Sequence, residues 1–163
     1  MSKILPIYVR NFVFGVEDGL VSTVGFLAGV AAGGADRSYL ILSGIVLISV
    51  EAFSMGVGSF LSESSSEEPN GKEKEEDRIS VKGGLIMFVS YIVAGFWVLL
   101  PYFFTGGLWG MAFSIILSII ALFILGVVSA KLTKARVVKR VIRMILVGSF
   151  AIVIGVAVGI LLR

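Results

Sequence analysis

Five long apolar runs alternate with short polar breaks along the chain. They cover residues 11–34, 38–62, 80–104, 108–130 and 140–162. Each is close to or above the ~20 residues that an α-helix needs to cross a bilayer. The breaks differ in kind. "GGADR" (33–37) and "TGG" (105–107) read as tight turns, since glycine accepts the backbone angles of a chain reversal. "AKLTKARVVKRVIR" (130–143) joins the last two runs and continues into the fifth. Residues 63–79, "ESSSEEPNGKEKEEDRI", form the one sizeable polar loop. The pattern predicts an all-α integral membrane protein, a single domain of five transmembrane helices with one short acidic loop.

Composition sharpens this reading. Of the 163 residues, 57% are hydrophobic and 15% charged, and mean hydropathy is +1.02. A soluble domain carries about a quarter of its residues as charges. The opening "MSKILPIYVRNF" shows no cleavage-site pattern, and the run behind it holds two acids, so it reads as a retained transmembrane helix rather than a signal peptide.

The basic residues orient the chain. With the N-terminus in the cytoplasm, the inside holds Lys3, Arg10, Lys72, Lys74, Arg78, Lys82, Lys131, Lys134, Arg136, Lys139, Arg140 and Arg143, and the outside only Arg37 and Arg163. Such a bias obeys the positive-inside rule and predicts an N-in topology, with the C-terminus outside or lumenal. It also explains the net charge of +3 without a nucleic-acid partner. Tyr39, Tyr102 and Trp109 are expected in the outer aromatic belt. The basic stretch 131–143 is expected to anchor lipid headgroups.

The chain has no cysteine and no histidine. Disulfides, thiol chemistry and imidazole ligands are excluded, and nothing matches a phosphate loop, a nucleophile triad or a zinc signature. No enzymatic reaction and no bound cofactor is expected. Candidate chemistry narrows to three acids inside the spans: Glu17, Asp18 and Glu51. An acid at a helix centre costs ~2.5–3.5 kcal/mol. With no basic partner at their depth, such acids suggest a cation, a proton or a water-filled path.

Helical rise sets their levels. Asp18 lies ~12 Å from the inner start of span 1, and Met55 ~10 Å from the inner end of span 2. Glu51 is one turn deeper than Met55 on the same face. Carboxylates suit hard divalent ions, and a thioether adds affinity for softer ones. Asp18, Glu51 and Met55 therefore form a candidate ligand set for Fe²⁺, with Mn²⁺ also suited. Helix glue remains the alternative role for the acids, and core or lipid-facing packing for Met55. Proton and metal compete for the same carboxylate oxygens, which is a physical basis for exchange. Glu17 is a candidate proton site. Gly15, Gly19, Gly25, Gly29 and Gly33 on span 1, and Ser54, Gly56, Gly58 and Ser59 on span 2, permit close helix approach, either as ordinary packing or as a helix pair or dimer seam lining a narrow path. The 63–79 loop, with seven acids and three bases, reads as a solvated linker leading into a short helix, or as a weak cation collector.

"RNFVFGVEDGLVSTVGFLAGVAAGG" in span 1 resembles the vacuolar iron transporter family, as do "SMGVGSFLS" in span 2, "KGGLIMFVSYIVAGFWVLLPYFF" in span 3 and the closing "IGVAVGILLR". The resemblance covers most of the chain. It implies a five-helix homodimer that moves Fe²⁺, and often Mn²⁺, out of the cytosol in exchange for protons along a path at the dimer interface. The family's membrane aspartate falls on Asp18 and its methionine on Met55. The sequence departs from the family at Glu17, where asparagine is common, at Ser59, where the family has an acid, and at Glu51, where a small residue is expected. The long glutamate-rich cytoplasmic domain of many members is replaced by the 63–79 loop. The expected location is a cell membrane in a prokaryote, or a vacuolar or similar organelle membrane otherwise. A non-transporting scaffold or assembly protein and a passive cation channel are the competing readings.

Overall fold

The computed structural model describes residues 4–65 and 73–163. Five long helices follow in order: α1 (Ile4–Ala32), α2 (Arg37–Ser64), α3 (Glu73–Leu99), α4 (Gly107–Thr133) and α5 (Val137–Leu161). A short 3-10 turn (Leu100–Phe103) follows α3. All five helices are long and apolar enough to cross a membrane. No strand occurs among the described residues.

The helices overrun the apolar runs, for identifiable reasons. α1 begins at Ile4 rather than near residue 11, because Pro6 sits in the first turn, where its missing N–H is no loss. α2 continues to Ser64 and α3 starts at Glu73. Glu63 is thus a helical residue and not part of a loop. Lys3, Glu67, Glu68 and Lys72, and the side chains of residues 73–76, lie outside the described residues.

The turns use the expected chemistry. Gly34 takes φ +89 after α1, and Asp36 caps α2 by accepting the Tyr39 N–H at 2.7 Å. Pro101 ends α3 as a regular helix. The freed carbonyls of Tyr102 and Phe103 accept from the Arg37 guanidinium. Lys134 closes α4 in the left-handed region, φ 55.

Tyr102 corrects the aromatic-belt expectation. It is fully buried, whereas Tyr39 and Trp109 are exposed as expected. Periodicity places a residue along a helix, but here the break at Pro101 turned the side chain inward.

Consecutive helices run antiparallel, so the chain alternates between two ends. Arg10 meets Glu63 at one end, and Gly34 approaches Arg163 at the other. The first end collects Arg10, Arg78, Lys82, Lys131, Lys134, Arg136, Lys139, Arg140 and Arg143 and is called the basic end below. The opposite end has Arg37 and Arg163.

Helix α1 is the central element and is seated through glycines. An added Cβ at Gly15 would lie 2.8 Å from the Met87 carbonyl oxygen, and one at Gly19 2.8 Å from that of Tyr91, both on α3. Further along, a Cβ at Gly29 would lie 2.6 Å from the Gly155 carbonyl oxygen on α5. The glycine stripe of span 1 therefore packs within the chain. On α2, Leu40, Gly44, Ile48, Ala52 and Gly56 form a buried i+4 ridge. Gly44, Ile48 and Gly56 of this ridge meet Leu99, Gly95 and Phe88 of α3 in turn. Ser114 on α4 donates to the Val98 carbonyl at 2.8 Å, tying α4 to α3 with both groups away from lipid.

Two polar residues of α1 fix the end of α2. Glu63 accepts from Arg10 at 2.9 Å and from the Asn11 amide at 2.7 Å. Asn11 is 2% exposed, while the Arg10 side chain is 65% exposed. The amide bond matters more, since a solvated ion pair contributes ~0–1 kcal/mol and an unsatisfied buried amide costs ~1–3 kcal/mol. Glu63→Ala is therefore expected to lower the thermal midpoint in detergent clearly more than Arg10→Ala; equal losses would show that the ion pair dominates. Gly155→Val should also lower the midpoint, with a cost of ~1–3 kcal/mol for overpacking. Val153→Ala, on an exposed position of the same helix, should leave it nearly unchanged. An undisturbed midpoint in Gly155→Val would refute close α1–α5 contact.

Candidate functional site

Mid-helix on α1, the residues between Gly15 and Ser22 carry both of that helix's acids. Glu17 and Asp18 are half-buried. Being consecutive, they point ~100° apart, and their surroundings differ accordingly.

Asp18 belongs to a polar group shared by α1, α2 and α3. One turn on, the Ser22 hydroxyl donates to the Asp18 carbonyl oxygen at 2.7 Å and lies 2.5 Å from the Tyr91 hydroxyl. A hydroxyl has one proton to give, so Tyr91 is the donor to Ser22. The bond order is Tyr91 O–H to Ser22 Oγ, then Ser22 O–H to the backbone of Asp18. Tyr91 is fully buried. The carboxylates of Glu51 and Glu17 both act electrostatically on Asp18, and those of Asp18 and Glu51 both act on Tyr91. The structure thus brings Asp18 and Glu51 into one electrostatic neighbourhood, although they are carried by different helices.

Glu51 sits at the edge of the buried α2 ridge. Ser43, Leu47, Glu51, Met55 and Ser59 form a half-buried stripe at i+4 spacing beside it. Met55 is one turn from Glu51 on that stripe, towards the basic end. Next to it, Ser54 and Gly58 are exposed, and a Cβ at Gly58 would meet nothing within 4 Å. This face of α2 carries small residues and points away from its own bundle. Among the described residues no three acids converge closely enough to hold one ion within a single chain.

Glu17 faces a separate feature. It lines a half-open cavity of about 1040 Å³ bounded by α1, the end of α4 and the start of α5. Its other polar lining residues are Arg10, Ser129, Thr133, Arg140 and Arg143. The structure therefore divides the four sequence-derived candidates. Glu51 acts on Asp18, Met55 continues the stripe of Glu51, and Glu17 reaches a cavity on another side of α1.

Sequence reasoning missed Ser22 and Tyr91. Both left a signal. Ser22 stands at i+4 from Asp18, where a helix aligns side chains. Tyr91 is a phenol in the middle of an apolar run, where its hydroxyl requires a partner.

Comparison with known proteins bears on the whole chain. It is 31% identical over 70 residues to vacuolar iron transporter 1 of Arabidopsis thaliana, a match covering 43% of this chain and 28% of that protein. It is 23% identical to vacuolar iron transporter 1 of Tulipa gesneriana, across 88% of this chain and 82% of that protein. The model of the VIT family matches residues 9–82 and 69–160, which together take in nearly all of α1 to α5. The chain belongs to the VIT family.

Proposed function

We propose that the protein carries divalent metal, Fe²⁺ and also Mn²⁺, out of the cytosol in exchange for protons. Asp18, Glu51 and Met55 bind the ion, Glu17 serves as a proton site, and the path runs between two copies of the chain. The observation that carries this reading is the placement of Asp18 and Glu51, two half-buried acids on different membrane-spanning helices, with the Glu51 carboxylate acting on Asp18. Two such carboxylates repel unless a cation or a proton lies with them. The relatives named vacuolar iron transporter support iron as the cargo.

Each residue has a task that follows from its chemistry. The Asp18 and Glu51 oxygens replace part of the hydration shell of a hard divalent ion. The Met55 thioether favours Fe²⁺ over Mg²⁺ or Ca²⁺, because only the softer ion gains from sulfur. Ser22 and Tyr91 orient the α1 backbone at Asp18 and lend it no charge. Protonation of the acids releases the ion, so a proton moving inward accompanies a metal ion moving outward. The family resemblance supports a dimeric path, as do the small exposed residues Ser54 and Gly58 beside Met55. Two copies would present two Asp18–Glu51 pairs and two thioethers to one another.

Proteoliposomes with an imposed pH gradient test this. Wild type should move Fe²⁺ and Mn²⁺ only against an opposing proton flux. Asp18→Asn should slow Fe²⁺ movement by at least about tenfold, equivalent to ~1.4 kcal/mol of lost ion stabilisation. Met55→Leu should weaken Fe²⁺ more than Mn²⁺, which would appear as a changed ratio of the two initial rates. Glu17→Gln should leave metal binding in place and uncouple it from the proton gradient. Metal movement indifferent to the gradient would make the protein a channel. No movement under any gradient, from folded protein, would leave a scaffold role.

A further inference from the structure

Metal binding by Asp18, Glu51 and Met55 leaves the cavity at the basic end unexplained. Its walls are largely apolar, formed by residues such as Leu5, Val9, Val13, Leu132 and Val147. Into this apolar space project the arginines Arg140 and Arg143, one turn apart on α5. Neither forms an ion pair among the described residues, whereas Arg10 at the rim is held by Glu63. The Arg140 Nε is buried and has no hydrogen-bond partner. On the facing end of α4, the Ser129 hydroxyl is likewise buried and without a partner. Thr133, beside it, donates to the Ser129 carbonyl at 2.8 Å.

Buried donors normally have acceptors, and an unmet one costs ~1–3 kcal/mol. Here a guanidinium N–H and a hydroxyl are both unmet on the wall of one cavity. An acceptor entering it should be anionic, since the two unpaired guanidiniums outweigh Glu17, the single acid on the lining. Glu17 lies level with Arg143, since Gly25 abuts Ala151 and Gly29 abuts Gly155, yet it pairs with neither arginine among the described residues. A free inorganic anion would meet the arginines but would leave the apolar walls bare. A molecule that is anionic at one end and hydrocarbon at the other satisfies both. The cavity's place among helix ends at the basic side of a membrane bundle is where such molecules are abundant.

We propose that this cavity binds one anionic phospholipid. Its phosphate is held by Arg140 and Arg143, with Ser129 donating from α4, and its acyl chains lie on the walls of α1 and α4. The lipid then bridges α1, α4 and α5 along the cavity that they line. This site is separate from Asp18, Glu51 and Met55, and of the residues in the transport reading only Glu17 shares its lining.

Native mass spectrometry of the full chain in detergent, titrated with phosphatidylglycerol or phosphatidylcholine, tests the proposal. Phosphatidylglycerol should form a one-per-chain adduct at about tenfold lower concentration than phosphatidylcholine. The double change Arg140→Gln, Arg143→Gln should abolish that preference. Removing the same charge elsewhere on the same end, by Lys134→Gln with Lys139→Gln, should preserve it. Leu132→Trp, which fills the cavity from an exposed position, should weaken the adduct without lowering the lipid-free thermal midpoint, which guards against a folding artefact. Equal binding of the two lipids, or equal damage from the arginine and lysine pairs, would overturn the site in favour of diffuse surface charge. Millimolar inorganic phosphate should not displace the lipid or reproduce its stabilisation; if it does, the cavity is a free-anion site and the lipid proposal fails.

Discussion

The structure depends on how closely the backbone of α1 approaches its neighbours. Side chains ordinarily hold packed helix axes ~8–10 Å apart. Gly15 and Gly19 remove that spacing against α3, and Gly25 and Gly29 remove it against α5. In hydrocarbon there is no hydrophobic drive to bring helices together, because lipid tails are as apolar as leucine. Close contact and internal hydrogen bonds must do so instead. The bonds of Ser114 to Val98 and of Asn11 to Glu63 are of this second kind. The seat of α1 thus combines small residues and a few polar pairs with the buried apolar side chains of Val13, Leu20, Val24 and Leu27.

A firmly seated helix gives a firm position to whatever charge it carries. Gly19 follows Asp18 directly, and Tyr91, whose backbone Gly19 abuts, is also the residue whose hydroxyl reaches Ser22. Packing and polar bonding therefore converge on the same short segment. The backbone that carries Asp18 is thus firmly placed against α3.

The five spans were legible because a bilayer imposes length and composition so strictly. The acids were legible for the same reason, since a charge in an apolar run stands out. What the sequence hid were the effects of one helix upon another. Glu63 lies in a run of polar residues and looks like the start of a loop, until Arg10 and Asn11 of α1 are seen to hold it in the last turn of α2. Tyr102 is near a helix end, as a belt residue would be, but the break at Pro101 redirects it into the core. Tyr91 was passed over because a single aromatic in an apolar run reads as packing. Only its neighbours on α1 reveal the hydroxyl's partner. The glycine stripe suited either internal packing or a dimer seam, and only α5, far away in sequence, decides for the first.

The adjacent acids Glu17 and Asp18 show how much one residue of helix can separate. Asp18 meets a second acid and a tyrosine–serine pair, surroundings with negative charge in excess. Glu17 faces a cavity whose lining includes Arg140 and Arg143, unpaired among the described residues, surroundings with positive charge in excess. The ~100° between them turns a local sequence repeat of carboxylates into two sites of opposite electrostatic character. Side-chain rotation alone cannot interchange them, because the glycine contacts hold the rotational setting of α1. The residues that let the helix pack closely are thus also the ones that decide which acid meets a cation-attracting group and which meets an anion-attracting one.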